Sequence, residues 1–365
     1  MSESEKKITV VLASGGTGGH IFPAEALAAE LISKGNKAIL ISDVRYKKHS
    51  LTPDEMDVRI VNSSSTGGGL VGKVKAALTI TSGIRQAMKE LKSINPDVVV
   101  GFGGYPSFPT MFAAVLLKIK TVVHEQNCVM GRVNKFLSSR VDKIATSFRE
   151  VKGIKKKYHD KITLTGNPVR PAIKALREFP YPDLEESDNI QILVIGGSQG
   201  ASIFSKVVPD AICMLPDEFK KLIRVDQQCR KEDLQNVKDI YKENDINADL
   251  ATFFEDIPSR IASSNLIIAR AGASTVSEIT VAGRPSILIP YKHAMDDHQT
   301  VNAKALEKRN AAVLISEDDF VPEKLSKVIK SFIDNPENLV IMAKNSHSLG
   351  KVDAVEKLTD CLVAK

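Results

Sequence analysis

Residues 8–20 read ITVVLASGGTGGH, a short run of β-branched and aliphatic residues that leads into a glycine-rich loop. A run of this length and composition predicts a buried strand, and an amphipathic, helix-like stretch follows at 24–34. Further short apolar runs at 38–42, 97–101 and 121–124 alternate with helical patterns in the same way. Alternating strands and helices predict a parallel sheet that is covered by helices on both faces.

The same order of strand, glycine loop and helix begins again at residues 190–200, which read IQILVIGGSQG. Later apolar runs at 223–225, 266–269 and 286–290 predict further strands of a second sheet. At roughly 150 residues per domain, a chain of 365 residues has room for two domains. The sequence therefore predicts an α/β protein with two Rossmann-like, doubly wound parallel-sheet domains.

The first domain is predicted at residues 1–167 and the second at 168–346. The boundary is placed at the Thr-Gly-Asn-Pro sequence of residues 165–168. A terminal helix at about 347–365 is predicted to pack back on the first domain, because residues 354–363 have helical spacing.

Composition excludes several classes of protein. The net charge of +6, from 50 basic and 44 acidic residues, permits an anionic partner, and nucleic acid is not predicted to be one. Cys128, Cys213, Cys229 and Cys361 form no Cys-x-x-Cys pair and no zinc-ligand pattern, so four free thiols are predicted. No apolar run approaches the roughly 20 residues of a transmembrane helix, and the N-terminus does not resemble a signal peptide.

Two glycine loops, at 15–20 and 196–200, stand between a predicted strand and a predicted helix. Glycine allows close approach of the backbone to a phosphate, and a helix N-terminus offers N–H groups and partial positive charge. Neither loop has the dinucleotide-binding or P-loop spacing. Each alone is equally explained as a tight turn, but the pair favours two phosphate-bearing substrates, one for each domain. Pro23 is placed near the first turn of the first helix.

Polar and glycine-rich stretches follow other predicted strands, where open α/β sheets bind ligands. They are Gly101–Tyr105, the His-Glu-Gln-Asn sequence of 124–127, and 270–278, which reads RAGASTVSE. Thr275 and Glu278 have the spacing of a capping box. Glu278 is therefore either a helix cap or a carboxylate that accepts hydrogen bonds from two ribose hydroxyls.

With these motifs the chain resembles the peptidoglycan N-acetylglucosaminyltransferase family, often called the MurG family. Seven motifs occur in the family's order: GGTGGHIFPA (15–24), GFGGYPSFP (101–109), HEQN (124–127), TGNPVR (165–170), GGSQGA (196–201), RAGASTVSE (270–278) and DDHQTVNA (296–303). The resemblance implies a GT-B fold, in which two Rossmann-like domains face each other across a cleft. It implies an inverting enzyme that moves N-acetylglucosamine from UDP-N-acetylglucosamine to the C4 hydroxyl of undecaprenyl-pyrophosphoryl-N-acetylmuramoyl-pentapeptide, which converts lipid I to lipid II.

The resemblance also implies roles for individual residues. The donor-binding residues are expected to be Thr17, Gly18, Gly19, Asn127, Arg170, Ser198, Ile257, Ala273, Ser274, Thr275, Val276, Ser277, Glu278 and Gln299. The acceptor-binding residues are expected to be Gly15, Gly16, Gly103, Gly104 and Tyr105. Among the donor residues, Ile257 is expected beside the uracil, Glu278 on the ribose, and Gln299 on the sugar hydroxyls.

His20 is the candidate general base, because imidazole titrates near pH 6.5 and this residue ends the first glycine loop. The alternative is that His20 only hydrogen-bonds the acceptor or a loop carbonyl. His124 is a second candidate, with a structural role favoured because it ends a buried strand. No Asp-x-Asp motif suits Mg²⁺ beside a nucleotide sugar, so no metal and no cofactor are predicted.

The lipid-linked acceptor implies a peripheral enzyme on the cytoplasmic face of the bacterial inner membrane, on an anionic surface. Two stretches combine apolar residues with lysine: Leu70, Val71, Val74, Leu78 and Ile80 near Lys73 and Lys75, and Phe108, Met111, Phe112 and Leu116 near Lys118 and Lys120. Either stretch is equally explained as an amphipathic core helix. Cell-wall and division proteins are possible partners. The rival functions are a UDP-N-acetylglucosamine 2-epimerase, a nucleotide-sugar-binding scaffold without turnover, and an NAD-dependent dehydrogenase.

Overall fold

The computed structural model of the chain describes residues 7–46, 52–64, 70–182, 189–197 and 200–363. The chain divides into two compact units, of which the first runs to Arg170 and includes the chain again from Asp353. The second unit runs from Pro171 to Val352. Each unit is built on one parallel β-sheet, so the predicted α/β class with two Rossmann-like sheets is confirmed.

The sheet of the first unit contains, within the described residues, the strands β1 (Thr9–Ala13), β2 (Lys37–Ser42), β3 (Asp57–Ile60), β4 (Val98–Gly101), β5 (Lys120–Glu125), β6 (Lys143–Thr146) and β7 (Ile162–Leu164). Their order in the sheet is β3-β2-β1-β4-β5-β6-β7, and neighbouring strands pair in parallel. The helices between them are α1 (Gly18–Ser33), α2 (Leu70–Ile94), α3 (Gly104–Leu116) and α4 (Arg132–Leu137). A 3-10 helix spans Lys156–Lys161.

The central strands of this sheet are buried on both faces, which is why they are continuous apolar runs in the sequence. Val10 and Leu12 of β1 face one side and pack with Leu27 and Leu31 of α1. Val11 of β1 faces the other side, in the cluster that contains residues of α2 and α3.

The second unit contains, within the described residues, the strands β8 (Ile190–Ile195), β9 (Ile223–Gln228), β10 (Asn247–Ala251), β11 (Leu266–Ala269), β12 (Ser286–Leu288) and β13 (Ala312–Leu314). The strand order is β10-β9-β8-β11-β12-β13, again parallel. Its helices are α5 (Pro171–Ala175), α6 (Ser202–Cys213), α7 (Asp217–Leu222), α8 (Leu234–Glu243), α9 (Ile257–Ser263), α10 (Ala273–Ala282), α11 (His298–Glu307), α12 (Pro322–Asp334) and α13 (Glu337–Leu349). Shorter 3-10 helices span Leu176–Glu178, Met295–Asp297 and Glu317–Asp319.

The last helix, α14 (Ala354–Val363), returns to the first unit. Leu358 and Leu362 are buried in the core cluster that also contains β1 and α1 residues. The helix begins at Ala354 rather than near 347, because α13 continues to Leu349. Lys120 Nζ donates a 2.8 Å hydrogen bond to the carbonyl oxygen of Leu362. Lys120, which the sequence grouped with a membrane-facing stretch, therefore caps α14.

In both sheets the chain adds strands first on one side of the first strand and then on the other. The chain proceeds from β1 to β2 and β3 on one side, then crosses to β4 on the other side of β1. In the second unit β8 holds the same position, between β9 and β11. Loops that leave two such strands in opposite directions open a crevice at their carboxyl ends, and ligands of open α/β sheets bind there. The fold therefore predicts ligand sites at the loops after β1 and β4 in the first unit, and after β8 and β11 in the second.

Helix α1 starts earlier than the sequence suggested. It begins at Gly18, so Pro23 is its sixth residue rather than a first-turn residue. His20 consequently lies on the first turn of a helix, and not at the end of a loop. A helical turn fixes the direction of the imidazole ring more firmly than a glycine loop does.

Candidate active site

Close packing explains why the first glycine of the loop after β1, Gly15, is a glycine. A Cβ atom on Gly15 would lie 2.7 Å from Cβ of Pro106 and 2.8 Å from Oγ of Ser42, so no larger residue fits. Gly15 is buried, whereas Gly16 and Thr17 are exposed. Gly16 has φ +89°, a conformation that favours glycine. Of the predicted acceptor residues Gly15 and Gly16, only Gly16 is thus open to a ligand.

The first turn of α1 presents Gly18, Gly19 and His20 at the carboxyl edge of the sheet. Thr17 is the N-cap residue, with an extended backbone at φ −134° and ψ 158°. Its carbonyl accepts the first helical hydrogen bonds, from the N–H groups of His20 and Ile21. The N–H groups at the start of the helix and the helix dipole favour an anion at this edge. Thr17, Gly18 and Gly19 therefore lie where a phosphate or a sugar can approach.

The glycine turn after β4 packs against the His20 ring. A Cβ atom on Gly104 would lie 3.2 Å from Cδ2 and 3.4 Å from Nε2 of His20, and one on Gly103 would lie 3.6 Å from Cε1. Both glycines have positive φ angles, +83° at Gly103 and +72° at Gly104. The structure thus brings the predicted base together with two predicted acceptor residues, and Tyr105 follows them on the first turn of α3, half-buried.

A line of polar groups extends from His20 into the unit. Nδ1 of His20 lies 3.3 Å from Oε1 of Gln126, and Nε2 of Gln126 lies 3.0 Å from Nδ1 of His124. Nε2 of His124 lies 2.9 Å from the carbonyl oxygen of Gly166. His124 is fully buried, and this burial lowers the pKa of its imidazole to about 4, so the ring is neutral at pH 7. A buried neutral ring held on both sides is a structural element, as the sequence favoured for His124.

Asn127, the predicted ligand of N-acetylglucosamine, is held by a buried carboxylate. Oε1 of Glu125 accepts hydrogen bonds from the Asn127 backbone N–H at 3.1 Å and from its side-chain amide at 3.4 Å. Oε2 of Glu125 accepts from the Gly131 N–H and from Nδ2 of Asn134, each at 2.9 Å. Burial raises the pKa of Glu125, and these four donors oppose that shift. The carboxylate therefore fixes the loop between β5 and α4.

Arg170, the predicted phosphate ligand, belongs to the first unit and is the last residue before the second unit begins at Pro171. Its guanidinium carbon lies 5.2 Å from the ring centroid of Phe22, which is on α1 two residues after His20. The cation–π contact keeps a positive charge close to the start of α1.

The second glycine loop is a tight turn after β8. A Cβ atom on Gly196 would lie 2.4 Å from the backbone nitrogen of Ala201, and Gly197 and Gly200 have positive φ angles. The Gly196 N–H donates to Oε1 of Gln228 at 3.1 Å. Ser198, the predicted phosphate ligand of this loop, lies outside the described residues.

Helix α10 begins at the carboxyl end of β11, at the second reversal point. Its N-cap residue is Gly272, so Thr275 and Glu278 both lie inside the helix and the capping-box alternative is wrong. Ala273, Ser274 and Thr275 form the first turn and present its N–H groups, while the side chain of Val276 is in the core. Ser277 Oγ donates to the carbonyl of Ala273 at 2.8 Å. Glu278, the acidic residue of the sequence RAGASTVSE at 270–278, is largely buried.

Ile257 begins α9, beside an ion-pair network that the sequence did not reveal. The guanidinium of Arg260 contacts Asp226 at 3.0 Å, Asp249 at 2.6 Å and Asp256 at 2.8 Å. It also lies 4.0 Å from the ring centroid of Phe254. Arg260 of α9 thus connects the middle of β9 and of β10 with the N-cap residue of α9.

Gln299 is on the first turn of α11, and its Oε1 accepts a 3.0 Å hydrogen bond from the backbone N–H of Tyr291. Asp296 and Asp297, which precede α11, have positive φ angles of 54° and 51°. Two consecutive left-handed non-glycine residues store backbone strain, and such strain is concentrated at functional sites.

The cysteines take no part in this chemistry. All four are free thiols, as the sequence predicted. Cys128 is the closest in sequence to the site, and burial raises its pKa to about 12, so it is not a thiolate nucleophile at pH 7.

Comparison with known proteins follows the division into units. The Glycosyltransferase family 28 N-terminal domain matches residues 10–146, and the Glycosyltransferase family 28 C-terminal domain matches residues 191–358. A relative from Rhodospirillum centenum, named UDP-N-acetylglucosamine–N-acetylmuramyl-(pentapeptide) pyrophosphoryl-undecaprenol N-acetylglucosamine transferase, is 46% identical over 97% of this chain and 93% of its own. The chain belongs to this transferase family. It is therefore a hexosyltransferase, and the family resemblance seen in the seven motifs is confirmed.

Solved structures agree with the fold of this family. The crystal structure of MurG from Acinetobacter baumannii has a TM-score of 0.78 at 26% identity, and covers 97% of this chain and 98% of its own. A UDP-GlcNAc 2-epimerase from Neisseria meningitidis has a TM-score of 0.65 at 14% identity, with 98% of this chain and 100% of its own covered. At that identity the epimerase shares the fold alone. The transferase family is the one that sequence identity supports.

The sequence missed two features of the site, although their residues stand beside predicted ones. Gln126 adjoins Asn127, and Arg260 follows Ile257 by three positions. The position of Gln126 directly after a buried strand is a sequence signal for such a role, because a buried polar side chain requires hydrogen-bond partners. The three carboxylates of the Arg260 network come from separate elements, and only the fold brings them together.

Proposed function

We propose that this transferase moves N-acetylglucosamine from UDP-N-acetylglucosamine to the C4 hydroxyl of undecaprenyl-pyrophosphoryl-N-acetylmuramoyl-pentapeptide, with inversion, in peptidoglycan synthesis. The observation that carries the proposal is the 46% identity, over nearly the whole chain, to a relative whose name states these substrates. The local geometry supports it, because an imidazole and a helix N-terminus lie together at the reversal point of the first sheet.

In the first unit, the acceptor occupies the edge formed by the loop after β1 and the glycine turn after β4. Its pyrophosphate lies against Gly16 and the first turn of α1, where N–H groups and the helix dipole compensate negative charge. His20 takes the proton of the C4 hydroxyl as that oxygen attacks the anomeric carbon. Asn127, which Glu125 holds in place, binds the N-acetylglucosamine.

In the second unit, the first turn of α10 binds the donor pyrophosphate with the N–H groups of Ala273 to Thr275. The same groups stabilise the charge that UDP gains when the glycosidic bond breaks. Glu278 accepts hydrogen bonds from the ribose, the backbone at Ile257 reads the uracil, and Gln299 contacts sugar hydroxyls. Ser198 and, from the first unit, Arg170 are assigned to the donor phosphate.

We further propose that the first unit binds an anionic membrane surface peripherally, at the cytoplasmic face of the inner membrane. Val74 and Leu78, one turn apart on α2, are 55% and 68% exposed, and Lys75 beside them is exposed too. Leu116 at the end of α3 is 53% exposed. Exposed apolar side chains with lysine suit an interface with anionic lipid. Within the described residues no helix is both long and apolar enough to cross a bilayer.

The structure changes the composition of this surface. Met111, which the sequence grouped with it, is fully buried in the core. Phe136 of α4 is 47% exposed instead, stacks edge-on with Phe108 and lies under the guanidinium of Arg140 at 4.4 Å. An enzyme held at this surface is placed to meet cell-wall and division proteins, and partners of that class belong to the proposal.

The test is release of UDP by the purified chain. UDP should be released from UDP-N-acetylglucosamine only when a short-chain lipid-linked muramoyl-peptide is present, with one disaccharide product formed for each UDP. GDP- and TDP-linked analogues should bind more weakly. An epimerase would convert the donor without any acceptor, and a scaffold would bind it without turnover. Either result would reject the proposed reaction.

A further inference from the structure

The hydrogen bonds behind His20 determine which of its ring nitrogens carries a proton. We infer that Gln126 and His124 are positioning residues that hold His20 as the tautomer protonated at Nδ1, with the lone pair on Nε2. The inference rests on the proposed reaction, in which His20 accepts a proton, and it adds the atom that does so and the residues that select it.

A backbone carbonyl oxygen can only accept a hydrogen bond, and it fixes the tautomer of His124. The carbonyl oxygen of Gly166 lies 2.9 Å from Nε2 of His124, so this nitrogen must carry the proton. His124 is fully buried and its pKa is lowered by that burial, so the ring has one proton rather than two. Its Nδ1 therefore carries a lone pair and accepts a hydrogen bond.

A second carbonyl fixes the orientation of the Gln126 amide. The side-chain nitrogen of Gln126 lies 3.0 Å from Nδ1 of His124 and 3.2 Å from the backbone oxygen of the same residue. The opposite orientation would place the amide oxygen against that carbonyl oxygen and against an unprotonated nitrogen. Gln126 must therefore use its N–H groups toward His124 and turn its oxygen toward His20.

The last step assigns the proton on His20. Oε1 of Gln126 can only accept, and it lies 3.3 Å from Nδ1 of His20, so Nδ1 is the nitrogen that donates. In a neutral imidazole the lone pair is then on Nε2. Nε2 is also the ring nitrogen that lies next to the glycine turn, since a Cβ atom on Gly104 would lie 3.4 Å from it. The basic nitrogen thus lies beside two of the predicted acceptor residues.

This arrangement resembles the orienting role of the buried aspartate in a serine-protease triad, with a neutral amide in place of the carboxylate. In that triad, loss of the correct tautomer lowers kcat by about 10⁴. A neutral amide sets the tautomer without adding a negative charge next to the imidazole. Gln126 is 1% exposed, so water cannot substitute for it at Nδ1 of His20 without rearrangement.

The direct test reads the tautomers in the wild-type protein without substrate. In a ¹⁵N-histidine-labelled sample at neutral pH, long-range ¹H–¹⁵N spectra should show His20 protonated at Nδ1 and unprotonated at Nε2. His124 should show the reverse. The resonances are assigned from the spectra of His20→Gln and His124→Gln. A His20 ring protonated at Nε2 would overturn the inference, even if UDP release had confirmed the reaction.

The kinetic test uses two substitutions of Gln126. Leucine can neither accept from His20 nor donate to His124, so Gln126→Leu should lower kcat by about 10 to 10³, below the triad value because the ring stays seated. The KM for the donor should change less than about threefold. Burial favours the protonated form of a glutamate at this position. Its O–H can donate to His124 while its other oxygen accepts from Nδ1 of His20, so Gln126→Glu should keep the His20 tautomer and retain kcat within about tenfold of wild type.

The matched control is Gln235→Leu, the same change at an exposed glutamine on α8, whose amide contacts Asp239. Its kcat should equal that of the wild type. A folded Gln126→Leu enzyme with wild-type kcat would overturn the inference, and so would equal losses in the leucine and glutamate variants. If either variant fails to fold, the wild-type spectrum alone decides. Failure of UDP release with the predicted tautomers present would reject the reaction and leave the hydrogen-bond assignment standing.

Discussion

The burial of a neutral His124 predicts that the first unit loses stability when the pH falls below 6.5. The folded pKa is about 4, against 6.5 for an ordinary histidine, so the unfolded chain binds the proton more tightly. The stability that this group contributes is therefore fully present above pH 6.5 and decreases as the pH falls toward 4. From pH 7 to pH 5, these two pKa values correspond to a loss of about 2 kcal/mol.

The perturbation is His124→Gln, which retains an amide N–H as donor toward Gly166 but cannot be protonated. The measurement is native-state hydrogen exchange of the Val122 and Val123 amides in β5, corrected for intrinsic exchange rates at each pH. Both residues are fully buried, so their exchange reports large-scale opening of the unit. Exchange is preferable to a single unfolding curve, because a chain of two units need not unfold in one step.

The expected result is a difference between proteins. The decrease in opening free energy from pH 7 to pH 5 should be about 2 kcal/mol larger in the wild type than in His124→Gln. Burial raises the pKa of Glu125, so this group makes the fold more stable as the pH falls. Glu125 is present in both proteins, and its contribution therefore cancels in the comparison. His159→Gln, a change at an exposed histidine, should behave as the wild type. Equal pH dependence in wild type and His124→Gln would refute the burial of a neutral ring.

Three further predictions follow from the site and surface. Gly104→Ala should lower kcat at least tenfold, because the φ angle of Gly104 is +72° and an added Cβ atom would lie 3.2 Å from the His20 ring. Gly131→Ala, measured in the same turnover assay, should not lower kcat. Glu278→Ala should raise the donor KM by about 10 to 100-fold with little change in kcat, as steady-state kinetics would show. Leu78→Ser should weaken binding to anionic vesicles about tenfold in co-sedimentation, and Ile341→Ser, at another exposed apolar position in the second unit, should not.

The sequence predicted the central strands of both sheets because burial on two faces requires a continuous apolar run. It did not predict β3, β6 and β7 of the first sheet or β10 and β13 of the second, which lie at a sheet edge or, for β6, next to one. Asp57 and Arg59 of β3 are partly or largely exposed, so that strand carries no apolar signal. The start of α1 was also missed, because glycine at positions 18 and 19 is unfavourable in helices and Pro23 suggested a later first turn.

The site was predictable in its residues and not in its atomic arrangement. His20 and Gly104 are 84 positions apart in the sequence, and only the pairing of β1 with β4 explains why Gly104 lies against the His20 ring. Gln126 follows a strand whose last residues turn alternately to opposite faces, and its orientation depends on the carbonyl of His124 and, through His124, on Gly166. The Thr275–Glu278 capping box was a reasonable expectation from spacing, but Gly272 starts the helix three residues earlier.

In the proposed reaction, His20 accepts the proton of the acceptor hydroxyl. The most direct measurement is the turnover of His20→Ala with UDP-N-acetylglucosamine and a short-chain lipid-linked muramoyl-peptide. We expect a kcat about 10² to 10⁴ below wild type, with donor affinity and unfolding behaviour almost unchanged, because the residue is half-buried and belongs to the acceptor edge. A near-normal kcat with only a raised acceptor KM would contradict it, and would show that His20 positions the acceptor without taking its proton.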